Sequence, residues 1–115
     1  STTFDFRNLE VEKQGNRVNV RVTVTNSGDQ AGAEVVQVYV HDQEASVDRP
    51  TKELKGFQKV HLAPGASETV ELSLDESAFS FFDEDQMAWV LEPGTFTIQV
   101  GSSSRDIRLQ GDVVW

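Results

Sequence analysis

Cysteine is absent from this 115-residue chain. That excludes a disulfide framework and any zinc–thiolate site, and leaves packing and backbone hydrogen bonding to hold the fold. Histidine is nearly absent too. His41 and His61 end separate predicted strands and neither sits in a nucleophile motif, so no catalytic triad is suggested, and two histidines alone are too few for a zinc site. Basic residues are scarce: 10 Lys and Arg stand against 19 Asp and Glu, a net charge of −9. Such a surface argues against nucleic acid, whose binding depends on cations neutralising phosphates. No apolar run approaches the roughly 20 residues that span a bilayer, and no basic-then-apolar start resembles a signal peptide. The chain therefore reads as soluble with no membrane partner, and its compartment, periplasmic, secreted or cytoplasmic, is left open.

What is present is a modest apolar fraction, 37%, enough for one domain with one core at this length. The acids are scattered through strands and turns rather than gathered in a block, as on a solvated surface. Apolar residues recur with period 2. Val18, Val20, Val22 and Val24 alternate with Asn19, Arg21, Thr23 and Thr25, the pattern of a half-buried strand. Val36, Val38 and Val40 make a second row, Val70, Leu72 and Leu74 a third, and Phe96, Ile98 and Val100 a fourth. Val35, Gln37 and Tyr39 make the other face of the second row unusually apolar for solvent, as if something covers it.

Turn residues part these rows. Gln14-Gly15-Asn16, Asn26-Ser27-Gly28-Asp29, Ala63-Pro64-Gly65-Ala66, Glu92-Pro93-Gly94 and the polar Gly101-Ser102-Ser103-Ser104 all carry turn chemistry. In the first strand Phe4 and Phe6 share one parity and Leu9 and Val11 the other, which predicts a bulge near Arg7-Asn8 in an edge strand. Gly56 marks a second expected bulge, one that would return Phe57 to the core beside Val60 and Leu62. Asp75-Glu76-Ser77 suits a single helical turn or a loop. Phe79, Phe81 and Phe82 lead into a polar hairpin tip at Asp83-Glu84-Asp85-Gln86, and Met87 to Leu91 returns with Trp89 expected in the core. Ile107 and Leu109 predict a short final strand. The sum is an all-β sandwich of seven to nine short strands.

Chemistry finds little purchase on this pattern. A glycosidase needs two carboxyls roughly 5 to 10 Å apart across a cleft, one with a raised pKa, and the acids of the Asp83–Asp85 tip stand in water without one. Calcium at Asp42, Glu44 and Asp48, or at Asp83 to Asp85, would have suitable oxygens but not the spacing of a calcium loop. No catalytic residue, metal ligand or cofactor is expected. Of the aromatics, Tyr39 and Trp115 are the more open candidates for contact with a ligand.

Four segments carry a more specific pattern: Phe4-Asp5-Phe6-Arg7-Asn8-Leu9, Gly32 to Val40, Arg49-Pro50-Thr51-Lys52-Glu53-Leu54-Lys55-Gly56-Phe57, and Trp89 to Gly94 leading to Val100-Gly101. Together they resemble the fibronectin type III-like domain at the C-terminal end of many family 3 glycoside hydrolases, the β-glucosidase and β-xylosidase group. The resemblance covers residues 1–110 and leaves 111–115 as a tail outside it. It implies a fibronectin type III or immunoglobulin-like sandwich of about seven strands, and a start at Thr2-Thr3-Phe4 that follows directly on a preceding domain. It further implies a non-catalytic accessory role, the nucleophile and acid/base lying in those preceding catalytic domains, which would be the partner. The alternating charges of Arg49, Lys52, Glu53 and Lys55 beside Pro50 then read as a docking surface, or as an edge strand kept from aggregating by its charges. A different function stays open: an independent module binding polysaccharide or protein through Tyr39 or Trp115.

Overall fold

The computed structural model describes residues 3–45 and 52–115. Among these described residues nine strands run in order: β1 (Phe4–Gln14), β2 (Arg17–Asn26), β3 (Gly32–Asp42), β4 (Glu53–Leu62), β5 (Ser67–Leu74), β6 (Phe81–Asp83), β7 (Ala88–Val90), β8 (Thr95–Ser103) and β9 (Asp106–Val114). Seven of them form two antiparallel sheets, β1-β2-β5 and β4-β3-β8-β9, while β6 and β7 pair only with each other. This is the all-β sandwich of the fibronectin type III or immunoglobulin kind. The four apolar rows face one another between the sheets. Val18, Val24, Val36, Val38, Phe96, Ile98 and Val100 are wholly buried, and each such side chain contributes about 1.5 to 3 kcal/mol of burial.

The expected irregularities have physical counterparts. β1 carries one extra residue between Arg7 and Glu10 opposite β2, with Asn8 at φ 58. Phe4 and Phe6 are buried, and beyond the bulge Leu9 and Val11 pack on the same core from the other parity. β1 is an edge of its sheet. The single helical turn is a 3-10 turn, Glu76–Phe79, whose start is capped by the Asp75 side chain accepting from the Ser77 amide. The final strand is longer than Ile107 and Leu109 alone suggest: β9 continues to Val114, Val113 is buried, and Trp115 packs on the core. The serines after Gly101 are not all turn. β8 continues to Ser103 and the reversal falls on residues 104–105.

Two expectations are corrected. The bulge in β4 lies where Gly56 suggested, since Val38 faces Gly56 and Tyr39 faces Leu54 with Lys55 the extra residue. Yet Phe57 stays outside, 65% exposed. The extra residue precedes Gly56, so it reverses the facing of Leu54 rather than of Phe57. From Gly56 on, the phase is set by Val60 and Leu62, and the inward place at Gly56 is filled by Leu72 and Leu74 from the opposite sheet. Trp89 is likewise not central: it is 70% exposed. In the β6–β7 hairpin Phe81 faces Val90 and Phe82 faces Trp89. Phe81 takes the buried side, so strict alternation turns the Phe82–Trp89 pair outward.

Candidate docking surface

β4 is an edge strand of the four-stranded sheet, and its first residues carry the alternating charges. Lys55, held in the bulge, places Nζ 3.7 Å from Glu53 Oε2. The Lys52 ammonium stands 5.9 Å from the centre of the Tyr39 ring. Arg49 and Pro50, the other two expected docking residues, lie outside the described residues. Lys52, Glu53 and Lys55 thus form one charged corner.

Beside that corner the two sheets part. A cleft of ≈ 380 Å³ runs between β4 and β5, lined by Leu54, Lys55, Gly56, Phe57, Leu72, Ser73 and Leu74. Leu54 is 47% exposed, and with Phe57 it gives the edge an apolar lip that sequence reasoning missed. Its signal was the Gly56 bulge itself, read in the wrong direction. A second hollow shares Lys55, Ser73 and Leu74 and continues to Asp75, Ser77 and Ala78, so the groove reaches the 3-10 turn.

These hollows do not hold a glycosidase's pair of acids. No carboxylate lines the first and only Asp75 lines the second. Asp75 Oδ1 accepts from the Ser77 hydroxyl and the Ser77 amide, and these bonds hold its carboxyl below the ordinary value. A general acid needs the opposite shift. Asp106, which opens β9 at the other edge of the four-stranded sheet, is also held low, at about 2, by its bonds to Arg108 and Ser102.

Three of the loop acids accept hydrogen bonds from nearby amides. Asp42 Oδ1 accepts from the Glu44 amide at 2.9 Å and Glu44 Oε2 from the Thr95 amide at 2.6 Å. Asp83 accepts from the amides of Asp85 and Gln86 and from the Gln86 side chain. Among the described residues no group of three or more His, Asp or Glu gathers to hold a metal ion; Asp48 is outside them. His41 and His61 lie on different strands, β3 and β4.

Of the two aromatics expected to be open, Tyr39 is buried and Trp115 is half-buried. Tyr39 is 8% exposed, beneath Lys52, with its phenol donating to Gln37 Oε1. On the second face of β3, Lys52 thus lies over Tyr39. Trp115 packs 5.1 Å from the Phe79 ring and carries the Lys13 ammonium 4.6 Å from its centre. Its backbone N–H donates to Gly94 O at 3.0 Å and its carbonyl accepts from Gly94 N at 3.2 Å. Besides Phe57, the aromatics that do face outward are Phe82, 42% exposed, and Trp89, in edge-to-face contact at 5.6 Å. Parity within a three-residue hairpin would have revealed them, had Phe81 rather than Trp89 been given the core.

Residues 34–104 match the model of the fibronectin type III-like domain. The thermostable beta-glucosidase B of Acetivibrio thermocellus is 45% identical across 97% of this chain, which spans 15% of that protein. The exo-alpha-(1->6)-L-arabinopyranosidase of Bifidobacterium breve is 49% identical across 91% of the chain and 14% of its own length. Among solved structures, the family 3 beta-glucosidase of Bifidobacterium adolescentis superposes with a TM-score of 0.95 at 45% identity, covering 98% of this chain and 17% of that one. The chain therefore corresponds to a small part of larger glycoside hydrolases.

Proposed function

The chain belongs to the fibronectin type III-like domain family, and from that premise we propose that it is a non-catalytic accessory domain of a family 3-type glycoside hydrolase. It packs on the preceding catalytic domains and stabilises or orients them. The observation that carries this reading is the disparity in coverage: nearly all of this chain accounts for about one-seventh of each relative, so the bulk of such an enzyme lies outside a domain like this one.

The corner of β4 suits the contact. Contacts between domains of one chain are moderate in area and fairly polar, with an apolar centre inside a polar rim. Leu54 and Phe57 supply the centre, Lys52, Glu53 and Lys55 the rim, and Arg49 and Pro50 continue the same stretch of sequence. Removing Phe57 from water is worth about 1.5 to 3 kcal/mol, whereas an exposed ion pair such as Lys55–Glu53 contributes about 0 to 1. The apolar residues supply the affinity and the charges supply register.

The test compares the parent protein with the isolated chain. Arg49→Ala with Lys52→Ala lowers the parent's melting temperature or activity and leaves the isolated chain almost unchanged. The isolated chain turns over no aryl-glucoside or aryl-xyloside. Turnover abolished by mutating one of its carboxylates, or an equal shift in parent and isolated chain, would overturn the reading.

A further inference from the structure

The large apolar side chains that stay exposed are unevenly placed. Leu54, Phe57, Phe82, Met87, Trp89 and Val114 all lie between the middle of the sandwich and the end where β5 leaves and β8 enters. Among the described residues none lies at the opposite end, where Phe4 opens β1 opposite Asn26. The apolar surface is thus gathered away from the end at which β1 begins.

The β6–β7 hairpin is the concentrated part of that surface. Its strands have three residues each and pair with no other strand, a length that is marginal in water unless something covers it. Phe81 anchors one side in the core, and Asp83 caps the turn. The other side presents Trp89 and Phe82 as one edge-to-face pair. At the tip Met87 has φ 52 and is 73% exposed. Left-handed backbone is where a turn ordinarily takes glycine, so this turn displays a thioether where its geometry did not call for one.

Trp, Phe and Met are the residues enriched at the centres of protein interfaces, where one buried Trp often dominates the binding. A saccharide platform needs hydrogen-bonding groups around its ring. In the turn between β6 and β7 the Asp83 carboxylate accepts from the Gln86 side chain and from the backbone amides of Asp85 and Gln86. A second copy of the chain would bring together two bodies of charge −9, which repel. We propose that Phe82, Met87 and Trp89 form a second anchor for the catalytic domains of the parent chain, so that the sandwich lies side-on along its length against them rather than extending from them end to end. The inference rests on the accessory-domain reading and goes beyond it by naming a contact on β6, β7 and their turn, elements other than the charged β4 corner.

Phe82→Ser with Trp89→Ser tests it in the parent and in the isolated chain, which carries its own complete core. The double variant lowers the parent's melting temperature by several degrees and leaves the isolated chain within about 2 °C, since both side chains already face water there. Hydrogen exchange supplies a readout that needs no variant: amides of residues 81–91 exchange more slowly in the parent than in the isolated chain. If the hairpin exchanges equally in both, the anchor is absent and the proposal fails. Should the hairpin variant leave the parent unchanged while Arg49→Ala with Lys52→Ala destabilises it, the accessory reading stands and this contact is overturned. Retention of the isolated chain on insoluble β-glucan, lost in the hairpin variant, would reassign the surface to saccharide. A micromolar dimer of the isolated chain, lost in the same variant, would reassign it to a second copy.

Discussion

Arg108 Nη1 donates a 2.6 Å hydrogen bond to the backbone carbonyl of Phe4, fastening the last strand to the first across the side where the two sheets close. The guanidinium also lies 5.1 Å from the Phe6 ring. It is oriented by Asp106, which accepts from Arg108 Nε and Nη2 at 2.9 Å each and from the Ser102 hydroxyl at 2.6 Å. One carboxylate thus holds the clasp that joins the two ends of the chain.

That arrangement makes part of the stability pH-dependent. The bonds from Arg108 and then Ser102 lower the Asp106 pKa from 3.8 to about 2. A group whose folded value is depressed contributes stability that is complete above its unfolded value and is lost as pH falls through the folded one. The melting temperature of the native chain should exceed that of Asp106→Asn at pH 6, and the difference should close between about pH 4 and pH 2. Calorimetry across that range checks it. Added salt should narrow the gap, because the pair is partly exposed and screened.

Asn26 should be among the most costly polar positions to alter. Its side chain is fully buried. The amide donates to Gln30 O and Leu62 O, both at 2.9 Å, and Oδ1 accepts from the Gly28 amide at 2.9 Å. Its own backbone joins Ala66 and Gly65. One residue therefore binds the β2–β3 connection to the β4–β5 turn. Asn26→Ala should cost about 2 to 3 kcal/mol by leaving buried groups unpaired. Asn26→Asp should cost more, because it aims an acceptor at two carbonyls. Urea denaturation of both variants is the measurement.

Glycine matters at Gly101 for space rather than for backbone angle. A Cβ there would stand 2.0 Å from the Asp106 carbonyl oxygen and 2.8 Å from Ile107 Cα, both backbone atoms. Gly101→Ala must therefore push β9 off β8 and loosen the Arg108 clasp. We expect a loss above about 3 kcal/mol, the range that marks a specific structural fault. Gly56→Ala is the control: its Cβ would meet Leu74 and Leu72 at 3.6 and 3.8 Å, ordinary contact, and should change the urea midpoint little.

The sandwich and its rows of valine were legible from alternation, because each strand of the two main sheets has one face in a single core and period 2 records which face that is. Val18 to Val24 and Phe96 to Val100 needed no partner to be read. The bulge at Asn8 was legible for the same reason, as a change of parity between Phe6 and Leu9. The specific run from Arg49 to Phe57 pointed to the family before any contact was known. Parity alone failed where a strand carries an extra residue or has only itself for a partner. At β4 the pattern marked a bulge near Gly56 but not which side of it would turn outward, and that depended on Leu72 and Leu74 already occupying the space above Gly56. At β6–β7 two aromatics of opposite parity, Phe81 and Phe82, competed for one buried side. Tyr39 and Trp115 were misplaced because what covers them comes from far along the chain: Lys52 for one, Phe79 and Lys13 for the other. By itself the sequence determined which faces of the main strands are apolar, and so the fold and the family. Only the tertiary structure decided which surplus aromatics remain on the surface, because burial is a competition for a limited core volume among residues brought together by folding.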